Sequence, residues 1–126
     1  MEPHIDITKL KRNSQLLIET VQTIYEVTVT GPKSCSVSIH GGIRFILPTK
    51  ARFQGSINNR FEDKEVLIED LIIRNHGLQF FYMDEKGEHF LTTSPVLSGK
   101  IISPDKSWKY DAIEREEKKD EDSNKA

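Results

Sequence analysis

Two runs in this chain alternate residue by residue between apolar and polar side chains, and that alternation limits what the backbone can become. Tyr25, Val27 and Val29 are interleaved with Glu26, Thr28 and Thr30, and Cys35, Val37 and Ile39 with Ser34, Ser36, Ser38 and His40. A period of two puts one set on each face of a strand, whereas a helix would spread both sets around its circumference. Further β-rich runs cover Gln15 to Thr20, Ile43 to Leu47, Ala51 to Gln54, Glu65 to Ile73, Leu78 to Met83, His89 to Thr93 and Val96 to Ile102. Glu65 to Ile73 also admits a short helix, but its β-branched content favours a strand or a bulged strand.

Turn formers punctuate these runs: Gly31-Pro32, Gly41-Gly42, Pro48, Gly55-Ser56, Asn58-Asn59, Asn75-His76-Gly77, Ser94-Pro95 and Ser103-Pro104. Asp84-Glu85-Lys86-Gly87, between Phe80-Phe81-Tyr82 and Phe90-Leu91, is the best hairpin signal. With no amphipathic helix between the runs, the expectation is an all-β fold of six to eight short strands. Its arrangement is a small antiparallel β-barrel or a two-layer meander, since closure limits exposed edges.

The end of the chain reads differently. Residues 1–110 carry 14 bases and 13 acids, whereas 111–126 carry seven acids, four bases and a single larger apolar residue, Ile113. The expectation is one β domain over 1–110, closed by Trp108 or Tyr110 packing on the sheet, followed by a charged, largely disordered acidic tail. Asp111 with Glu114 has capping-box spacing and Glu114 with Lys118 is an i,i+4 pair, so a frayed helix of about two turns is the most that tail should form. Cys35 is the one cysteine and cannot staple the fold internally, which fits a reducing compartment. Apolar stretches such as Leu16-Leu17-Ile18 are too short for a spanning helix or a secretory signal, so a cytoplasmic protein without a membrane partner is expected.

Few residues speak for chemistry. His4, His40, His76 and His89 lie on separate segments with no zinc-ligand spacing, so no metal or other cofactor is expected. Cys35 and His40 are five apart, which puts them on opposite faces of a regular strand and denies the thiol a local base. Sharing parity with Val37 and Ile39, Cys35 reads as a core residue. Glu62-Asp63 and Glu69-Asp70 read as solvated charges, and no nucleophile elbow, P-loop or dinucleotide fingerprint occurs.

One segment rises above that background. From Lys33 to Phe61 there are five bases, Lys33, Arg44, Lys50, Arg52 and Arg60, and no acid. Arg44-Phe45, Arg52-Phe53 and Arg60-Phe61 repeat every eight residues; in strands each Phe would enter the core while its Arg stands outward. Arg44, Lys50, Arg52 and Arg60 are therefore the candidate residues for binding phosphate or nucleic acid, with Lys9, Lys11 and Arg12 as an extension. Set against this, Glu62, Asp63 and Glu65 lie close by in sequence, and five bases over 29 residues also describe ordinary surface.

The leading reading is thus a non-catalytic binding or interaction module, with an unknown protein or a second copy as its partner through an exposed strand edge. The alternative is nucleic-acid or anion binding through the arginine-bearing face. A third reading is a metal-dependent enzyme with ligands drawn from His40, His76 and His89.

Ile24-Tyr25-Glu26-Val27, Gly41-Gly42-x-Arg44-Phe45, Ala51-Arg52-x-x-Gly55-Ser56 and Leu91-Thr92-Thr93-Ser94-Pro95-Val96 together resemble a group of small uncharacterised bacterial all-β proteins over about residues 15 to 102. The resemblance implies a β fold and carries no activity and no site residue, since folds of this kind serve many roles.

Overall fold

The computed structural model describes residues 2–58, 66–104 and 109–116, and among these the chain forms eleven strands. They are β1 (His4–Asp6), β2 (Gln15–Thr20), β3 (Ile24–Gly31), β4 (Ser36–Gly41), β5 (Phe45–Asn58), β6 (Val66–Glu69), β7 (Leu71–Ile73), β8 (Gly77–Asp84), β9 (Gly87–Thr92), β10 (Val96–Ile102) and β11 (Lys109–Ile113). Two single-turn 3-10 segments, Ile7–Lys9 and Pro32–Ser34, follow β1 and β3. The main sheet is an antiparallel ladder in the order β11-β10-β2-β3-β4-β5-β8-β9, with β6 added to β5, and β1 pairs with β7 as a separate two-stranded sheet. The all-β expectation holds; the strand count exceeds six to eight because β1 and β11 lie outside the runs read as β and the run from Glu65 to Ile73 divides into β6 and β7.

Alternation behaves as the period demands. Leu16 and Ile18 on β2, Val27 and Val29 on β3, and Val37 and Ile39 on β4 are all buried and all belong to one core. Phe45, Phe53, Leu78, Phe80, Ile101 and Ile113 join the same cluster from β5, β8, β10 and β11. One core shared by strands from the whole ladder requires the sheet to curl around it. Among the described residues the ladder does not close into a barrel: it ends at β9 on one side and β11 on the other.

The β1–β7 sheet supplies a further wall, through Ile5 and Ile72. Ser56 ties it to β5, its hydroxyl donating to the Leu71 carbonyl at 2.6 Å and accepting from the Ile73 amide at 3.0 Å. Fully buried, this one side chain occupies the place of a strand-to-strand hydrogen-bond pair. Beyond β7, Arg74 makes a parallel bridge to Val96 of β10.

β5 does most of the organising. Pro48 was expected to end a strand, yet the fourteen residues of β5 run through it. The register with β4 shifts between Ile39 and Gly41, opposite the stretch from Phe45 to Thr49, so Pro48 sits in a bulge that asks no amide of it. Along one edge β5 pairs with β4 up to Arg52 and with β6 from Gly55 onward. Gly55 is required at the changeover, because a Cβ there would run into the Ile68 carbonyl oxygen.

Three expectations need correction. Glu65 to Ile73 is not one bulged strand: Asp70 takes a left-handed conformation (φ 67°) and splits it into β6 and β7, which join different sheets. The boundary at residue 110 is too early, since Asp111 to Ile113 complete β11, and Ile113 is fully buried instead of solvated. Its companions Ile5 and Ile18 come from β1 and β2, far away in sequence, around Gly99 of β10. Tyr110 remains 40% exposed and does not close the core, whereas Trp108 and residues 117–126 lie outside the described residues.

Candidate functional site

The candidate bases do not converge. Arg44 precedes β5 at one end of the β4–β5 hairpin, and Arg52 pairs with Ser36 at the other end. Eight residues of extended chain separate them, on the order of 25 Å. Arg44 donates through Nη1 to the Tyr82 hydroxyl at 2.7 Å, and Tyr82 in turn meets Phe45 edge to face at 5.1 Å. It therefore caps the aromatic end of the core. Phe45 and Phe53 are buried, as the splitting of each Arg-Phe pair requires. Lys50 stands exposed between the two arginines, opposite Ser38, and Arg60 lies outside the described residues.

Arg52 instead meets groups that its own segment does not announce. Its Nε donates to the Ser34 carbonyl at 3.2 Å, in the 3-10 turn that carries Lys33. That turn packs on the 3-10 turn carrying Lys9, and Arg12 donates to the Thr30 carbonyl nearby at 2.9 Å. The extension from Lys9 to Arg12 thus approaches the Lys33–Arg52 end of the molecule, away from Arg44.

Where β5 changes partner from β4 to β6, the two shorter strands leave a cleft of about 280 Å³ lined by Lys33, Cys35, Arg52, Leu67, Glu69 and Asp70, among others. Cys35 is buried as expected, but it occupies a left-handed position (φ 57°) at the end of the 3-10 turn, ahead of β4. Its Sγ donates to Asp70 Oδ1 at 3.3 Å. Burial first, and then this hydrogen bond and the Asp70 charge, push the thiol up to about 12, with Arg52 opposing weakly. A thiol so held is not a nucleophile near neutral pH.

The histidines stay apart. His40 lies 3.6 Å from Glu26 Oε1, His76 Nδ1 lies 3.0 Å from the Arg74 carbonyl, and His89 Nε2 lies 2.8 Å from Asp84 Oδ1. Among the described residues no three His, Cys, Asp or Glu side chains are grouped to hold a metal ion.

What the ladder does assemble is a row across the outer face. Ser36 of β4 is opposite Arg52 of β5, Arg52 is opposite Phe81 of β8, and Phe81 is opposite Phe90 of β9. The Phe81 and Phe90 rings lie 5.3 Å apart at 54°, and Phe90 is 58% exposed. Gln54 and Gln79, joined by a 2.7 Å hydrogen bond, border the row on one side. On the other side lie Lys50 and the exposed Met83, with a shallow depression of about 220 Å³ lined by Lys50, Ala51, Arg52, Phe81, Tyr82 and Met83.

The row escaped sequence reading, although the signal was present. A two-residue loop pairing Asp84 with Gly87 forces Phe81 opposite Phe90 by register alone, and Phe80 next to Phe81 forces one ring outward. Compared with known proteins, the chain matches no family model, no curated protein and no solved structure.

Proposed function

We propose that this protein is a non-catalytic interaction module that associates with a second copy of itself through the β9 edge. The observation that carries the reading is an uncovered strand: among the described residues β9 pairs only with β8, leaving its outer backbone groups unpaired along Gly87–Thr92. Such an edge is a template for another strand, and β9 has neither the proline nor the lysine that usually blunts one. An antiparallel copy centred on Phe90 would set Phe90 against Phe90 and continue the aromatic row across the twofold axis. The reading is further supported by the histidines' separation and by Cys35, whose surroundings keep it protonated.

The test is mass measured by light scattering over a range of concentrations. A monomer–dimer equilibrium is expected, shifted to monomer by Phe90→Lys with the circular dichroism of the folded β chain retained. A wild-type chain that stays monomeric at the highest attainable concentration would end this reading.

A further inference from the structure

We propose that the outer row Arg52–Phe81–Phe90 is a binding platform for single-stranded nucleic acid. This goes beyond edge pairing, which joins β9 to β9 within the plane of the sheet with the two Phe90 rings side by side, whereas the platform uses the outward face of the rings.

The argument begins with placement. Single strands are held by aromatic faces that stack on bases and by cations that follow the phosphates, and both must be reachable from one side. Phe81 and Phe90 are neighbours on adjacent strands, one half-buried and one 58% exposed, so the outer ring is open and the inner ring supports it. From Arg52 to Phe90 the row crosses two interstrand spacings, about 10 Å, enough for two successive bases.

The cations lie on one side of the rings. Lys50 and Arg52 project from β5 on the same face, and Lys33 is exposed on the turn whose carbonyl Arg52 holds. Among the described residues neither Lys33, Lys50 nor Arg52 is in an ion pair, so none of the described carboxylates must be displaced before a phosphate can approach. Glu88, opposite Met83, lies at the rim beyond the rings, and on the other flank Glu69 and Asp70 line the cleft shared with Lys33 and Arg52. The bordering Gln54, Gln79, Ser36 and Thr92 offer hydrogen-bond donors and acceptors to base edges. A protein partner would find here a small aromatic patch with unpaired cations around it, whereas a polyanion with flat apolar rings matches both features at once.

The neutral surroundings limit the strength. Three cations imply a slope of log affinity on log salt of about −2 for a single strand, with weak binding at physiological ionic strength. The experiment is fluorescence anisotropy with labelled oligouridylate and oligothymidylate of about ten nucleotides, a duplex of equal length and labelled polyglutamate, at about 50 mM salt. Expected is binding to the single strands in preference to the duplex, with the two sugars compared to identify RNA or DNA as the better ligand. Phe90→Ala should weaken it by about 5- to 150-fold, Phe90→Trp should restore it, and Arg52→Ala should flatten the salt slope by about 0.7.

Circular dichroism of Phe90→Ala shows whether it is folded, and Phe90→Trp and Arg52→Ala test the site even if it is not. Undetectable single-strand binding, preference for duplex, or equal binding of polyglutamate with no response to Phe90→Ala overturns the proposal.

Discussion

Two phenylalanine pairs sit back to back on the same three strands. Phe53 and Phe80, paired across β5 and β8, have ring centroids 5.4 Å apart at 53°, and Phe81 and Phe90, paired across β8 and β9, are 5.3 Å apart at 54°. The chemistry and the geometry are nearly the same; only the face differs. Phe53 and Phe80 are 2% and 1% exposed within the core, whereas Phe90 keeps more than half its surface in water. An inward pair is accounted for by packing, since burying each ring contributes on the order of 2–3 kcal/mol. An outward pair gains little from folding, and its water-facing ring area is available to a ligand.

The largest effect should come from the inner pair. Phe80→Ala is expected to cost about 3–5 kcal/mol in urea unfolding, against about 0.5–1.5 kcal/mol for Phe90→Ala. Similar costs for the two would erase the distinction between packing and display.

A middle effect tests how the inner wall is held. Ser56→Ala removes both links between β5 and β7 and strands a buried carbonyl and amide, at about 1–3 kcal/mol by the same measurement. A neutral result would mean that β7 is positioned by packing alone.

The smallest effect belongs to the tip of the outer ribbon. The His89 contact, and after it the Lys86 amide, hold the exposed Asp84 carboxyl below its ordinary value of 3.8. Because the folded value is the lower one, the contribution to stability is present above 3.8 and is lost as the pH falls through the folded value. Carboxyl resonances followed by NMR should show Asp84 titrating below 3.8 and moving up in His89→Ala; a titration at or above 3.8 in the wild type would contradict this geometry.

The sequence made the period-two elements readable, and for a definite reason. Val27, Val29, Val37 and Ile39 alternate because one face of each strand meets the core and the other meets water, and the Asp84-to-Gly87 hairpin follows from local turn chemistry. What stayed hidden depends on partners distant along the chain. Ile113 looked isolated in a charged stretch because the side chains it packs against, from β1 and β2, come a hundred residues or so earlier, a separation that no local pattern can reveal. Asp70 breaks a β-branched run at a left-handed residue that propensity does not foresee. Among the candidate bases, Arg44 and Arg52 were linked by an eight-residue repeat that a strand stretches out instead of folding together. The neighbour that gives Arg52 a role, Phe81, needed the β5–β8 register.

The ladder order also sets a timetable for synthesis. Glu19 and Ser98, partners across β2 and β10, are 79 residues apart, so one side of β2 has no mate until most of the polypeptide has left the ribosome. The hairpins β2–β3, β3–β4 and β8–β9 need only short loops and are free to form early. The first large strand to be made is therefore among the last to be completed, and a nascent chain halted before Val96 would present Gln15–Thr20 as an adhesive border to its neighbours.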